Sequence, residues 1–286
     1  MKLKIFIAVL LVVVAWVAGR MYINSRSGAE SESHAVAGGG AAAGGGAAGR
    51  TTEENGEAVQ RINESYRLAP GARVEVSGIN GPVEIATAEG ETAQVQVEAR
   101  ADNAKTLERG RIKIEHANDR LVVRGPDNNG GGFLSWITGR GRAKHNVKLL
   151  LPRRVTLSAG GVNGRVKVGE IDGGVDVTGV NGSVEVASAA GGADVSGVNG
   201  SVAFALASLG PKGVEVSGVN GAVELRLAQT VNADVDVSGL NGRVNNELPN
   251  ATVGDQGRTH FSARVGQGGP RISLSGINGG VTLAGK

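Results

Sequence analysis

The chain has 286 residues, a formal charge of only +3, 48 glycines, 3% aromatic residues and no cysteine. The missing cysteines exclude disulfide frameworks, thiolate metal sites and thiol nucleophiles, and abundant glycine without a Gly-X-Y period excludes collagen and points to turn-rich β structure or low complexity. Charge is segregated, with twelve Lys/Arg against five Asp/Glu over residues 101–154 and five against ten over 155–250, which is not the uniformly basic pattern of a nucleic-acid binder.

At the N-terminus, Lys2 and Lys4 precede an uncharged run, Ile5–Gly19. This is the n-region and h-region of an export signal. The run is short for a hydrocarbon core of about 30 Å, although Arg20 could snorkel and Met21-Tyr22-Ile23 could extend it to the interface. Residues 1–23 are therefore expected to be a signal peptide or a signal anchor. Either outcome exports the chain, to the periplasmic face of the inner membrane or to the cell surface. Residues 24–58 contain the stretch SGAESESHAVAGGGAAAGGGAAGR at 27–50. Side chains this small cannot offset the entropy of ordering, so a flexible Gly/Ala-rich linker is expected. The rest, 59–286, is expected to be one folded domain.

Strand-like segments open that domain: Tyr66–Val76, Val83–Ala86, Ala93–Ala99, Ile112–Ile114, Leu121–Arg124 and Asn146–Leu151. They are longer and less regular than the strands C-terminal to them and suit the atypical end of a stack. Between them, Gly125–Arg142 (GPDNNGGGFLSWITGRGR) breaks the pattern. It gathers Phe133, Leu134, Trp136 and Ile137 beside Arg140 and Arg142. Two expectations fit: a loop folding back to cover the core, or a contact loop whose apolar tip and cations meet anionic lipid, glycan or an envelope protein.

The C-terminal half is repetitive. Gly-(Ile/Val/Leu)-Asn-Gly occurs seven times in the chain, around Asn80, Asn163, Asn181, Asn199, Asn220, Asn241 and Asn278. From Asn163 to Asn241 the asparagines are 18, 18, 21 and 21 residues apart, the mark of stacked units. Segments such as Val166-Lys167-Val168 and Val184-Glu185-Val186 alternate with period two, so each unit reads as two short strands and two corners. Asn and Gly both tolerate positive φ and suit a sharp turn. The residue before each Asn is apolar in every copy. In a two-residue hairpin that residue would lie on the face opposite the valines, whereas at a solenoid corner it can point inward. The expected fold is therefore all-β, a parallel β-solenoid of 18–21-residue two-strand repeats. The asparagines are expected to stack as a ladder.

Taken together, the export signal, the strand ending Leu149-Leu150-Leu151-Pro152, the alternating strands and the Asn-Gly corners resemble a bacterial family known as "putative adhesins". Ser77-Gly78-Ile79-Asn80-Gly81 is similar to the opening of its GIN-head members. The resemblance spans roughly residues 60–286. It implies a β-helical envelope domain without enzyme activity, in a family whose function is itself unassigned.

Sites for chemistry are sparse. His34, His116, His145 and His260 lack ligand spacing and read as linker or surface residues. No nucleophile elbow or Walker loop is present, and no cofactor is expected. Asp176, Asp194, Glu215 and Asp236 take the same outward position in successive repeats, beside Thr178, Ser196, Ser217 and Ser238. Such a column is either a solvated acidic face or a cation-binding ladder. A glycan-cleaving β-helix would need a close carboxylate pair rather than a regular column. The expected function is surface presentation for adhesion or partner binding. The alternatives are a polysaccharide-active enzyme and an envelope scaffold or stress-sensing partner.

Overall fold

The computed structural model describes residues 50–126 and 143–286, all within one unit spanning Gly44–Lys286. The expected export segment 1–23, most of the linker and the loop residues Phe133, Leu134, Trp136, Ile137, Arg140 and Arg142 lie outside the described residues. No described helix is long and apolar enough to cross a membrane.

The fold is almost entirely β, arranged as two eleven-stranded sheets. The first sheet runs, in spatial order, β1 (Arg50–Glu54), β2 (Glu57–Arg67), β5 (Thr92–Ala101), β8 (Lys144–Pro152), β4 (Val83–Ala88), β10 (Val166–Ile171), β12 (Val184–Ala189), β14 (Val202–Leu206), β16 (Val223–Leu227), β22 (Val281–Gly285) and β18 (Val244–Asn246). The second runs β19 (Ala251–Gln256), β20 (Phe261–Val265), β17 (Ala233–Ser238), β21 (Arg271–Asn278), β15 (Val214–Asn220), β13 (Ala193–Asn199), β11 (Val175–Asn181), β9 (Thr156–Val162), β3 (Arg73–Ser77), β7 (Arg120–Arg124) and β6 (Lys113–Ala117). From β9 to β16 the chain passes to the other sheet at every corner. The strands flanking each Asn-Gly in this run lie in different sheets, so the motif is not a hairpin turn. Pairing through the middle is parallel and in register: Val166 meets Val184, which meets Val202, which meets Val223.

Period-two patterning explains the core. In β11 and β13 the residues Val175, Val177, Ala193 and Val195 are buried while Asp176 and Asp194 are exposed. Inward side chains of both sheets merge into one hydrophobic cluster built mainly of Val, Leu, Ile and Ala. Each fully buried Val or Leu contributes roughly 1.5–3 kcal/mol of transfer free energy. The residue before each corner Asn joins this core: Ile79, Val162, Val180, Val198, Val219 and Ile277 are each 1% exposed and Leu240 is 5% exposed. That is the placement expected from the apolar residue in every copy.

Four expectations need correction. Among the described residues strands begin at Arg50, and β1 and the first residues of β2 fall inside the expected linker 24–58. They hold there because β2 lies antiparallel along β5 from Ala58–Ala101 to Arg67–Thr92, burying Val59 and Ile62. Pairing is also not parallel throughout. The β1–β2–β5–β8 run, β6–β7 and β17–β20–β19 are antiparallel, which places antiparallel strands at both ends of the second sheet and at the β1 end of the first. The asparagines at the corners do not adopt positive φ. The left-handed residue is the first glycine of the motif, as at Gly197 (φ 63°), and the only described non-glycine with positive φ is Asn55. Finally, repeat order is not spatial order: β21 inserts between β15 and β17.

The last glycine of the motif has a separate reason. A Cβ on Gly200 would lie 2.0 Å from the carbonyl oxygen of Gly182, its equivalent one layer away. Only a residue without a side chain permits the layers to stack this closely.

A short helix, α1 (Ala104–Arg109), was not expected from the sequence. Asn103 caps it, its Oδ1 accepting from the Thr106 N–H at 2.9 Å. Leu107 then packs into a small cluster with Ala58, Ala99, Ala101 and Ala143.

Candidate functional site

Three columns of polar side chains run along the outward side and corner of the second sheet. At the corner, the seven motif asparagines form one continuous ladder. Asn163 Nδ2 donates to Asn80 Oδ1 (3.0 Å), Asn181 to Asn163 (3.0 Å), Asn199 to Asn181 (3.2 Å) and Asn220 to Asn199 (3.1 Å). Asn278 then donates to Asn220 (2.9 Å) and Asn241 to Asn278 (2.9 Å). Asn278, last in sequence, is therefore interior, and Asn241 is terminal. Every bond points the same way, so the amides polarise one another. The ladder begins where Asn80 Nδ2 donates to the Ala143 carbonyl (2.9 Å) and ends at Asn241 Oδ1, to which no described group donates.

The second column holds the predicted carboxylates. In-register pairing sets Asp176 beside Asp194 and Asp194 beside Glu215. Asp236 does not join them directly, because Ser273 of β21 stands between it and Glu215. Asp236 is instead paired with Arg271 at 3.2 Å. Parallel neighbours are about 4.8 Å apart, close enough for like charges to repel. Partial burial and the neighbouring Asp194 charge together push the Asp176 carboxyl above its ordinary value. A bound cation would lower it. Among the described residues no three His, Asp or Glu side chains converge as metal ligands. The third column carries Thr178, Ser196, Ser217, Ser275 and Ser238 in register.

His145 corrects another expectation. Far from a surface residue, it is 3% exposed. The Asn80 N–H donates to its Nδ1 (3.3 Å), so Nε2 carries the proton and donates to the Gly110 carbonyl (2.8 Å). Burial holds its pKa below the ordinary value, with the Gly110 bond opposing. The neutral ring thus ties α1 to the first rung of the ladder. No sequence spacing could have marked it, because its partners are backbone groups. His116 stacks on Tyr66 with centroids 4.7 Å apart, and His260 pairs with Asp255 at 2.9 Å.

A cavity of about 590 Å³ opens at the terminal rung, between the corner Leu240–Arg243 and the turn from β19 to β20. Sequence reasoning missed it, since its two walls are brought together by the antiparallel pairing of β17 with β20, which no motif announces.

Comparison with solved structures finds low-identity likeness. A "putative cell adhesion protein" from Clostridium sporogenes ATCC 15579 is 13% identical, with 79% of this chain and 100% of that chain covered at a TM-score of 0.43. A "putative adhesin" from Bacteroides fragilis NCTC 9343 is 10% identical, covering 78% of this chain and 96% of its own at a TM-score of 0.34. No family model matches the chain, and no curated protein matches it.

Proposed function

We propose that residues 50–286 form a two-sheet parallel β-solenoid with antiparallel ends. Residues 1–23 export the chain and the Gly/Ala-rich segment tethers the domain to the cell envelope. The domain acts without catalysis, by presenting its outer face to an envelope partner or ligand. The observation that carries this reading is the regular array on the second sheet: asparagine, hydroxyl and carboxylate columns held in register over successive layers. A rigid array repeating at about 4.8 Å offers many weak contacts at fixed spacing, and multivalent engagement multiplies them. The column spreads its carboxylates evenly instead of pairing two across a cleft, which suits a contact surface better than acid–base chemistry. The acidic side chains also keep this exposed sheet face solvated.

The test is capture from envelope fractions by the full chain immobilised through a C-terminal tag. A chain carrying Asp176→Asn, Asp194→Asn and Glu215→Gln together should melt at or above the parent temperature yet lose captured material. Equal capture by parent and triple variant would refute presentation by this face. Release of reducing sugar from envelope polysaccharide by the parent would refute the non-catalytic reading.

A further inference from the structure

The cavity at the last rung has the composition of an anion site. Arg243, Arg258 and His260 line it together with Asn241, Gln256 and Thr259, and no carboxylate does. Arg243 and Arg258 are exposed, and neither is ion-paired to a described carboxylate. The remaining walls, Leu240 and Phe261, are buried core residues that fix the floor.

The walls are built in advance. Leu240 N–H donates to the Thr259 carbonyl (3.1 Å), which pins the β19–β20 turn against the corner. Gly257 N–H donates to the His260 carbonyl (2.9 Å), and Asp255 holds His260 Nε2 at 2.9 Å. The His260 ring lies directly over Gly257, where a Cβ would meet its Cε1 at 2.2 Å. A turn tied at three points loses little entropy when a ligand arrives.

Two kinds of group without a described protein partner line this cavity. The guanidinium groups offer forked N–H donors suited to a carboxylate. Asn241 Oδ1, the open acceptor at the end of six aligned side-chain bonds, calls for an O–H or N–H donor strengthened by the polarised chain behind it. Gln256 and Thr259 add groups that both donate and accept. A ligand carrying a carboxylate and several hydroxyls on one compact ring satisfies all of these. The volume lies within the range of about 300–1,000 Å³ usual for small-ligand sites.

We propose that this cavity binds a carboxylated saccharide, a uronate-type sugar unit, with Arg243 and Arg258 on the carboxylate and Asn241 accepting from a ring hydroxyl. The site lies at the end of the asparagine column and does not depend on the carboxylate column that the capture test alters.

The test is calorimetric titration of the full chain with trigalacturonate, with maltotriose and tri-glutamate as controls. Arg243→Ala and Arg258→Ala should each weaken trigalacturonate binding at least tenfold while leaving the melting temperature unchanged. Arg243→Lys and Arg258→Lys should lose less, since charge is kept and only the fork is lost. Raising the salt to 0.5 M should weaken binding in the parent, because exposed charge is then screened at a Debye length of roughly 4–5 Å. The Asp176/Asp194/Glu215 triple variant should bind as the parent does, so failure of the outer-face reading and failure of this one are separable. Absence of trigalacturonate binding at millimolar concentration, or undiminished binding by the Arg243→Ala/Arg258→Ala double variant, would overturn the site. Equal affinity for maltotriose would overturn the carboxylate, and equal affinity for tri-glutamate would overturn the saccharide.

Discussion

Truncating the ladder asparagines one at a time separates spatial order from sequence order. Asn278 donates to Asn220 and accepts from Asn241, both at 2.9 Å. Asn278→Ala removes two side-chain hydrogen bonds and interrupts the polarised chain. At about 0.5–1.5 kcal/mol net for each bond, the expected loss is about 1–3 kcal/mol. The released groups on Asn220 and Asn241 are exposed and can turn to water, which keeps the loss near the lower half of that range. Asn241 makes a single ladder bond, so Asn241→Ala should cost about 0.5–1.5 kcal/mol. Urea unfolding followed by circular dichroism measures both, comparing midpoints at matched m-values. Sequence position alone would rank the two the other way, with the copy nearest the C-terminus the cheaper to lose. If Asn241→Ala costs as much as Asn278→Ala or more, the ladder order and the stabilising role given to it are both wrong.

Gly200→Ala should destabilise by about 2–5 kcal/mol, since its Cβ would sit 2.0 Å from the Gly182 oxygen at a φ of 149°, adding overpacking to backbone strain. Gly90→Ala, with nothing within 4 Å of its Cβ at a φ of 111°, should cost less than half as much in the same urea assay. His145 is held neutral in the folded state, so the unfolded chain binds its proton more readily. Stability from this residue is therefore complete above about pH 6.5 and falls as pH drops towards the lowered folded value. Parent unfolding midpoints at pH 7.5 and 5 should differ more than those of His145→Gln, and an identical difference would remove the assignment. Millimolar calcium should leave the melting temperature almost unchanged, whereas a cation bound at 100 times its dissociation constant would add about 2.7 kcal/mol. Asp194→Asn should raise stability by some tenths of a kcal/mol by relieving Asp176, and a calcium-dependent rise lost in that variant would instead show a cation ladder.

The layer structure was legible because its determinants are local and repeated. Val184-Glu185-Val186 shows its inward and outward sides in three residues, and the apolar residue before each Asn could satisfy only an inward corner. Register came with it, since units of 18 or 21 residues built on one motif align Val on Val and Asn on Asn. Which corner residue takes the left-handed conformation stayed open in the sequence, because the motif holds residues of both permissive types and turn preference alone does not choose between them. His145 and α1 were illegible for another reason. Their positions are set by backbone carbonyls and a small alanine cluster contributed by segments distant in sequence. Arg243 and Arg258 carried no motif at all; their significance comes from what does not pair with them.

The displaced order of β21 governs how the last rungs of the ladder come to exist. Strand β15 pairs with β13 on one edge, and its other edge is taken by β21, some fifty residues later. Until β21 docks, β17 has no parallel neighbour, for its partners are β21 and β20 alone. The corner Leu240–Arg243 is held by Asn241 on Asn278 and by Leu240 on Thr259, so its ladder contact waits for β21 while its contact with the β19–β20 turn does not. Apart from the Asn80–Asn163 rung, which spans 83 residues, the ladder up to Asn220 can form by adding one unit upon the last, each closing a loop of about twenty residues. The final two rungs instead require a longer closure that returns past β18, β19 and β20, the kind of non-local pairing that slows folding. The Asn241 amide thus joins the ladder only in chains whose last strands have inserted, because its one ladder partner is Asn278.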